Sequence, residues 1–159
     1  MEQIKKKAIK AVELHKSGNL IEAKKNYQEV LKIDPDNYQI KRLLALIEYS
    51  CKNYDIALSL LNDCIKHNQK DSEAFANRGM VNFKLQNLME AENDYKESIE
   101  IDNNINGMFN YANLLKDKKD YNNSIFYLKK VLTKDPNFYK AYNNMAMINT
   151  KMGEYELGI

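Results

Sequence analysis

Three asparagines, Asn77, Asn110 and Asn144, recur at intervals of 33 and 34 residues. A carboxamide offers both a hydrogen-bond donor and an acceptor. A row of them can bracket the peptide units of an extended chain and read its backbone with little regard to its side chains. The more reactive groups are arranged for no comparable task. His15 and His67 stand near the ends of separate segments, and no HExxH or other spacing of His with Cys or carboxylate suggests a metal site. Each reads as a polar residue in the last turn of a helix, where the helix dipole favours it. Gly18, Gly79, Gly107, Gly153 and Gly158 are too scattered to form a phosphate-cradling loop. Cys51 and Cys64 make no disulfide framework and fit a reducing compartment. The residues therefore predict no catalytic site, no metal and no cofactor, and the chain is not expected to be an enzyme.

The spacing of the asparagines belongs to a longer repeat. Ala23, Ala57, Ala91, Ser124 and Gly158 mark one position of it, at intervals of 34, 34, 33 and 34 residues. A fixed period in this range is the signature of a helical array, in which no unit buries its own apolar face and neighbours stack into a continuous core. The first unit, about 4–37, shows apolar residues at helical spacing from Ile4 to Leu14, a break at Ser17-Gly18-Asn19, and a second stripe from Leu20 to Ile33. Asp34-Pro35 closes it, because proline disfavours helix in the residue before it. Units at about 38–71, 72–104 and 105–138 repeat the plan, with Gln69 in the proline place of the second. The missing residue of the 33-residue interval falls in Asp102-Asn103-Asn104, an inter-repeat loop where a deletion is best tolerated. A fifth unit opens at Tyr139, turns at Gly153-Glu-Tyr155, and stops at Ile159 barely into its second helix. The expected fold is all-α, a solenoid of about four and a half helical hairpins forming one array over 1–159. The unfinished last unit implies a fragment of a longer protein, or pairing of that unit with another copy of the chain.

Bulk properties set outer bounds. With 44% hydrophobic and 29% charged residues and a mean hydropathy of −0.64, the composition is that of a soluble protein. No apolar run approaches the roughly 18 residues that span a bilayer, so no membrane insertion is expected. Met1-Glu-Gln-Ile-Lys-Lys-Lys7 lacks the apolar core of a secretory signal. A net charge of +2 is too small to argue for nucleic acid. The expected compartment is the cytoplasm.

The repeat resembles the tetratricopeptide repeat, whose helix-turn-helix unit of 34 residues carries an aromatic, Leu-Gly, Tyr, Ala, Phe and Pro at set offsets. Phe75, Gly79, Phe83, Ala91 and Tyr95 form the clearest copy, and Tyr142, Ala146, Gly153 and Tyr155 another. Lys7 at the first aromatic position, Ser124 at an Ala position, and Gln69 and Asn103 at Pro positions depart from the pattern. The resemblance implies a right-handed superhelix whose first helices line a concave groove that binds segments of other proteins. It also makes Cys64 a small, inert core residue.

In this family the sixth position of each unit faces the groove, and here it reads Ile9, Leu43, Asn77, Asn110 and Asn144. The three asparagines then stack along one wall, similar to the asparagine ladder in the repeats of O-linked N-acetylglucosaminyltransferase. An Asn-rich sequence also places Asn at such sites by composition alone. Positions three and four residues away share the face, which adds Arg42, Met80, Asn113, Lys116, Lys140 and Met147, with Leu46, Ala76, Phe83, Phe109 and Asn143 beside them. Met80, Phe83 and Met147 could instead pack against the neighbouring helix. The carboxylate clamp of the co-chaperone branch is disfavoured. Its set falls on Arg42, Leu46, Asn77, Asn106 and Asn110, matching at the first and third places only, or on Ala76, Met80, Asn110, Lys140 and Asn144. The expected function is a protein-interaction scaffold holding an extended peptide of a partner. The alternative is the substrate-presenting part of a glycosyltransferase or sulfotransferase, since His15-Lys-Ser-Gly-Asn19 also resembles the opening repeat of such chains.

Overall fold

A computed structural model describes the backbone of residues 2–156 and the side chains of residues 2–153. Nine helices account for the described residues: α1 (Glu2–Lys16), α2 (Leu20–Ile33), α3 (Tyr38–Ser50), α4 (Tyr54–His67), α5 (Ser72–Lys84), α6 (Leu88–Asp102), α7 (Ile105–Asp117), α8 (Tyr121–Lys134) and α9 (Tyr139–Glu156). Consecutive helices pair into hairpins, α1 with α2 through α7 with α8, and each second helix also packs on the first helix of the next unit. The array is an all-α superhelix.

Local chemistry sets the boundaries. The N-cap residues of α2 to α8 are Asn19, Asn37, Asn53, Asp71, Asn87, Asn104 and Asp120. A short carboxamide or carboxylate at the N-cap accepts from an otherwise orphaned N–H of the first turn, as Asp71 does from Ala74 N at 3.0 Å and Asn104 from Gly107 N at 3.0 Å. Five of the asparagines thus stand at helix starts. Within each hairpin the turn needs one left-handed residue, filled by Gly18, Lys52, Gln86 and Lys119 with φ of 63–82°. The shortened interval is resolved at Asn103. The second helices of the other units end in extended C-caps at Asp34, Asn68 and Asp135, whereas α6 ends in a left-handed Asn103 with φ 54°. That tighter exit removes one residue, and Lys134 Nζ donates to the carbonyls of Asp102 and Asn103.

The fifth unit departs from expectation. Gly153 occupies the turn position, yet α9 runs through it to Glu156 without a break. The sequence explains why: the residue after the turn is Asn or Asp in units one to four, but Glu154 here. Glutamate favours helix continuation over capping. The expected second helix, the Gly158 position and Ile159 lie outside the described residues. Ala146, whose counterparts Ala11, Ala45 and Ala112 are buried, is exposed.

The core threads the array between hairpins. Ala23, Ala57, Ala91 and Ser124 are all fully buried where the two helices of a hairpin cross. Ser124 replaces alanine without leaving an unsatisfied hydroxyl, since its Oγ donates to Ala112 O at 2.7 Å. Cys64 is buried as expected; burial pushes its thiol up to about 11, and Sγ lies 3.3 Å from Tyr38 O. Cys51 is exposed at the end of α3.

An ion-pair cluster ties α6 to the end of α7. Glu92 receives Lys118 and Lys96, and Tyr111 Oη donates to it at 3.2 Å. The hydrogen bonds from Lys118 and then Lys96 hold its carboxyl down at about 2, against an ordinary 4.5. A carboxyl depressed in the folded state stabilises the fold above its unfolded value and loses that contribution as pH falls toward the folded value. Stability should therefore decline between pH ~4.5 and ~2, and less steeply in Glu92→Gln. Urea midpoints across this range for both chains would check it, and parallel curves would count against the assignment.

Candidate functional site

The first helices of successive units touch one another, α3 with α5, α5 with α7 and α7 with α9, while no second helix packs comparably on another second helix among the described residues. Elements on the inside of a curved stack lie closer together, so α1, α3, α5, α7 and α9 form the concave side.

Along this side the sixth positions divide into two chemistries. Ile9 and Leu43 line an open cavity of about 360 Å³ between α1 and α3, with Ala8 and Val12 beside them. Ile9 is 60% exposed. Farther along, Asn77 and Asn110 are half-buried and carry no side-chain hydrogen bond among the described residues. The third carboxamide is tied: Asn144 Nδ2 donates to Asn113 Oδ1 at 2.5 Å, linking α9 to α7. That pair still leaves the Asn144 carbonyl and the Asn113 amino group open.

The remaining predicted residues separate. Met80 is half-buried and Met147 is 53% exposed. Arg42 is engaged: its guanidinium pairs with Glu73 and lies 3.6 Å from Asp71, fastening α3 to the start of α5. An arginine so held is a strut and not an open cation. Lys140 is exposed and lines a different cavity, with Asp135, Asn137 and Phe138. Ala76 is 1% exposed and belongs to the interior. Phe83 packs on the Tyr95 and Leu115 cluster, and the Phe109 ring lies 5.0 Å from that of Phe138. Both phenylalanines serve packing.

Lys151 went unnoticed in the sequence, although it stands four residues after Met147 and so on the same helical face. With Lys116, Asp117, Lys119, Tyr121 and Met147 it lines an open cavity of about 490 Å³ between α7 and α9.

The histidines take structural places. Both stand in the last turn of their helices. His15 Nδ1 lies 3.3 Å from Tyr27 Oη, and burial lowers its pKa. His67 stacks on Tyr38 with ring centroids 3.7 Å apart. Among the described residues no three His, Cys, Asp or Glu side chains are grouped to hold a metal ion, and no helix is long and apolar enough to cross a membrane.

Comparison with known proteins adds identity to this geometry. Tetratricopeptide-repeat profiles match residues 14–77, 72–105, 105–138 and 127–159. Human sperm-associated antigen 1 is 33% identical over 91 residues, which are 57% of this chain and 10% of that protein. The chain thus spans only a small part of the length of that curated relative. Among solved structures, the O-GlcNAc transferase of Thermobaculum terrenum superposes with a TM-score of 0.76 at 20% identity, covering 82% of this chain and 26% of that one. The first repeat domain of Spaghetti (RPAP3), bound to an HSP90 peptide of sequence SRMEEVD, superposes with a TM-score of 0.68 at 24% identity, covering 74% of this chain and 94% of that one. At these identities the structural likeness shows the fold. Repeat period, stacked hairpins and matched profiles agree along the length of the sequence, and the chain belongs to the tetratricopeptide-repeat family.

Proposed function

We propose that this chain is a protein-interaction module of the cytoplasm that holds an extended peptide segment of a partner along its concave side. The observation that carries the reading is the state of Asn77 and Asn110. Two half-buried carboxamides at equivalent places of adjacent units have no partner among the described residues, and a polar group so placed gains from a ligand that satisfies it. A peptide backbone presents the matching donor and acceptor at every residue. The Asn113–Asn144 pair continues the row with one donor and one acceptor still open. That a solved structure of this fold carries a bound peptide supports a peptide ligand. Grip by a terminal carboxylate is not the proposed mode, because Arg42, the cation that a clamp on α3 would use, is occupied by Glu73 and Asp71. The likeness to a glycosyltransferase array extends to the fold and adds no observation for a substrate-presenting role.

Selection from a random peptide library displayed through its C-terminus tests this reading. The chain should recover a defined pool. Synthetic members of that pool should bind the Asn77→Ala, Asn110→Ala, Asn144→Ala triple variant roughly 100-fold more weakly, at about 1 kcal/mol per lost hydrogen bond. Helicity should stay nearly unchanged, since Asn→Ala raises helix propensity, and loss of the Asn144–Asn113 bond should lower stability by only about 1 kcal/mol. Equal binding by both chains would sink the carboxamide row as the grip. Failure to recover any pool would sink the peptide reading altogether.

A further inference from the structure

The close packing of α5 on α7 limits what the groove can hold. We propose that the bound segment must present a small residue, Gly, Ala or Ser, where Asn77 and Asn110 grip its backbone. The inference rests on the peptide reading above and adds to it a requirement on the peptide's sequence.

First helices do not approach one another equally along the array. α5 and α7 pack along each other, whereas α3 with α5 and α7 with α9 touch over only a few residues. Open volume lies to either side: about 360 Å³ between α1 and α3, and about 490 Å³ between α7 and α9. The groove is pinched in its middle.

Three departures from the repeat draw α7 inward, and all fall at one junction. The exit from α6 is one residue shorter than in the other units and turns through the left-handed Asn103. The opening place of each unit reads Ile4, Tyr38, Ser72, Ile105 and Tyr139, so that only the third is small. Ser72 is buried, and its Oγ donates to Asp102 Oδ2 at 2.8 Å and accepts from Asn104 Nδ2 at 3.3 Å. That hydroxyl ties the start of α5 to the N-cap of α7. Two places later the units hold Lys6, Ile40, Ala74, Gly107 and Ala141. A Cβ at Gly107 would lie 2.6 Å from Ser98 Oγ and 3.0 Å from Ser98 Cβ. The first turn of α7 therefore settles against α6 more deeply than any side chain there would permit.

Asn77 and Asn110 stand at matching places on this pair of helices, half-buried and without a side-chain partner among the described residues. Helices in contact run about 8–10 Å apart. Across such a gap two carboxamides reach one stretch of backbone from opposite sides, each over about 2.9 Å. The backbone must then lie low between α5 and α7. Met80, half-buried one turn after Asn77, narrows the same place. A side chain larger than a methyl or hydroxymethyl group meets helix surfaces that the Ser72 tie and the Gly107 contact hold in position. Close approach of backbone to a binding surface is where glycine and other small residues serve.

The same display library tests this. The pool recovered by the natural chain should hold Gly, Ala or Ser at one fixed position. A synthetic member with Leu at that position should bind about tenfold or more weakly, as overpacking against fixed helices predicts. Ser72→Ile, Gly107→Ala wedges α7 away from α5, and its pool should accept larger residues at that position. One residue inserted between Asp102 and Asn103, restoring the 34-residue interval, should relax the pool in the same way should the wedged variant fold poorly. A natural pool with no fixed small position, or a Leu member that binds equally, would overturn the requirement and leave the peptide reading intact. So would a small-residue position kept unchanged by a folded, opened variant. Recovery of no pool at all overturns both.

Discussion

Asp94→Ala is expected to cost about 3 kcal/mol of stability, the loss typical of breaking a buried pair by removing one partner. Asp94 is 3% exposed on α6 and receives bonds from two residues of α5. Arg78 of α5 donates through Nε at 3.0 Å and a terminal nitrogen at 2.6 Å, and Asn82 Nδ2 donates at 3.0 Å. Arg78 also reaches Asn62 of α4 at 2.9 Å, so the cluster joins the second unit to the third. Truncation leaves the guanidinium with Asn62 and the Phe75 ring but no carboxylate, and strips a buried carboxamide of its acceptor. The Arg78 side chain is 24% exposed, and water reaching it should hold the loss toward the low end of the range for buried pairs. The diagnostic is the double variant Arg78→Met, Asp94→Leu, which removes both charges and should be less destabilised than Asp94→Ala alone. Chemical unfolding followed by helicity measures both. A double variant as unstable as the sum of the singles would contradict coupling. Because an array need not unfold as one unit, hydrogen exchange in α5 and α6 should show the loss located there.

Gly79→Val is expected to destabilise by about 3 kcal/mol, for a different reason. A Cβ at Gly79 would lie 2.6 and 2.7 Å from the Tyr95 ring and 3.2 Å from the carbonyl of Ala91. The ring is 2% exposed and cannot swing into solvent, and the carbonyl is fixed in α6. Elsewhere in a helix, replacing Gly gains up to about 1 kcal/mol, so Gly79→Ala sets propensity against overlap, and the overlap should win. The rescue is specific. In a Tyr95→Leu background, itself cavity-forming, Gly79→Ala should cost much less than in the natural chain. Unchanged cost in that background would mean that the ring is not the obstacle.

These two sites mark a boundary between what local patterns reveal and what they conceal. Gly79 was visible in the sequence as the family's small residue, and the matching places of units one, two and four hold Ala11, Ala45 and Ala112, so the crossing admits only small side chains. Asp94 and Glu48 were not visible. Glu48 is 2% exposed and held by Lys24 and Asn53, at 2.8 and 2.7 Å. A charged residue at helical spacing reads as solvated surface unless its partner is known, and both partners here lie on other helices. The same holds for Arg42, which the repeat pattern places on the groove and whose partners Asp71 and Glu73 stand at the start of α5.

By itself the sequence determined the period, the helical hairpins and the apolar positions where they stack. Each depends on residues within one turn or one repeat of each other: an Asn or Asp cap, a left-handed turn residue, an apolar stripe. Tertiary structure decided which polar groups stay open. Among the described residues Asn77 and Asn110 have no partner, while Asn144 is bonded to Asn113. Arg42 is closed, and Lys116 and Lys151 share one cavity. It also decided that α9 runs straight through Gly153. A glycine permits a turn but does not compel one, and Glu154 supplies no cap for a helix to start there.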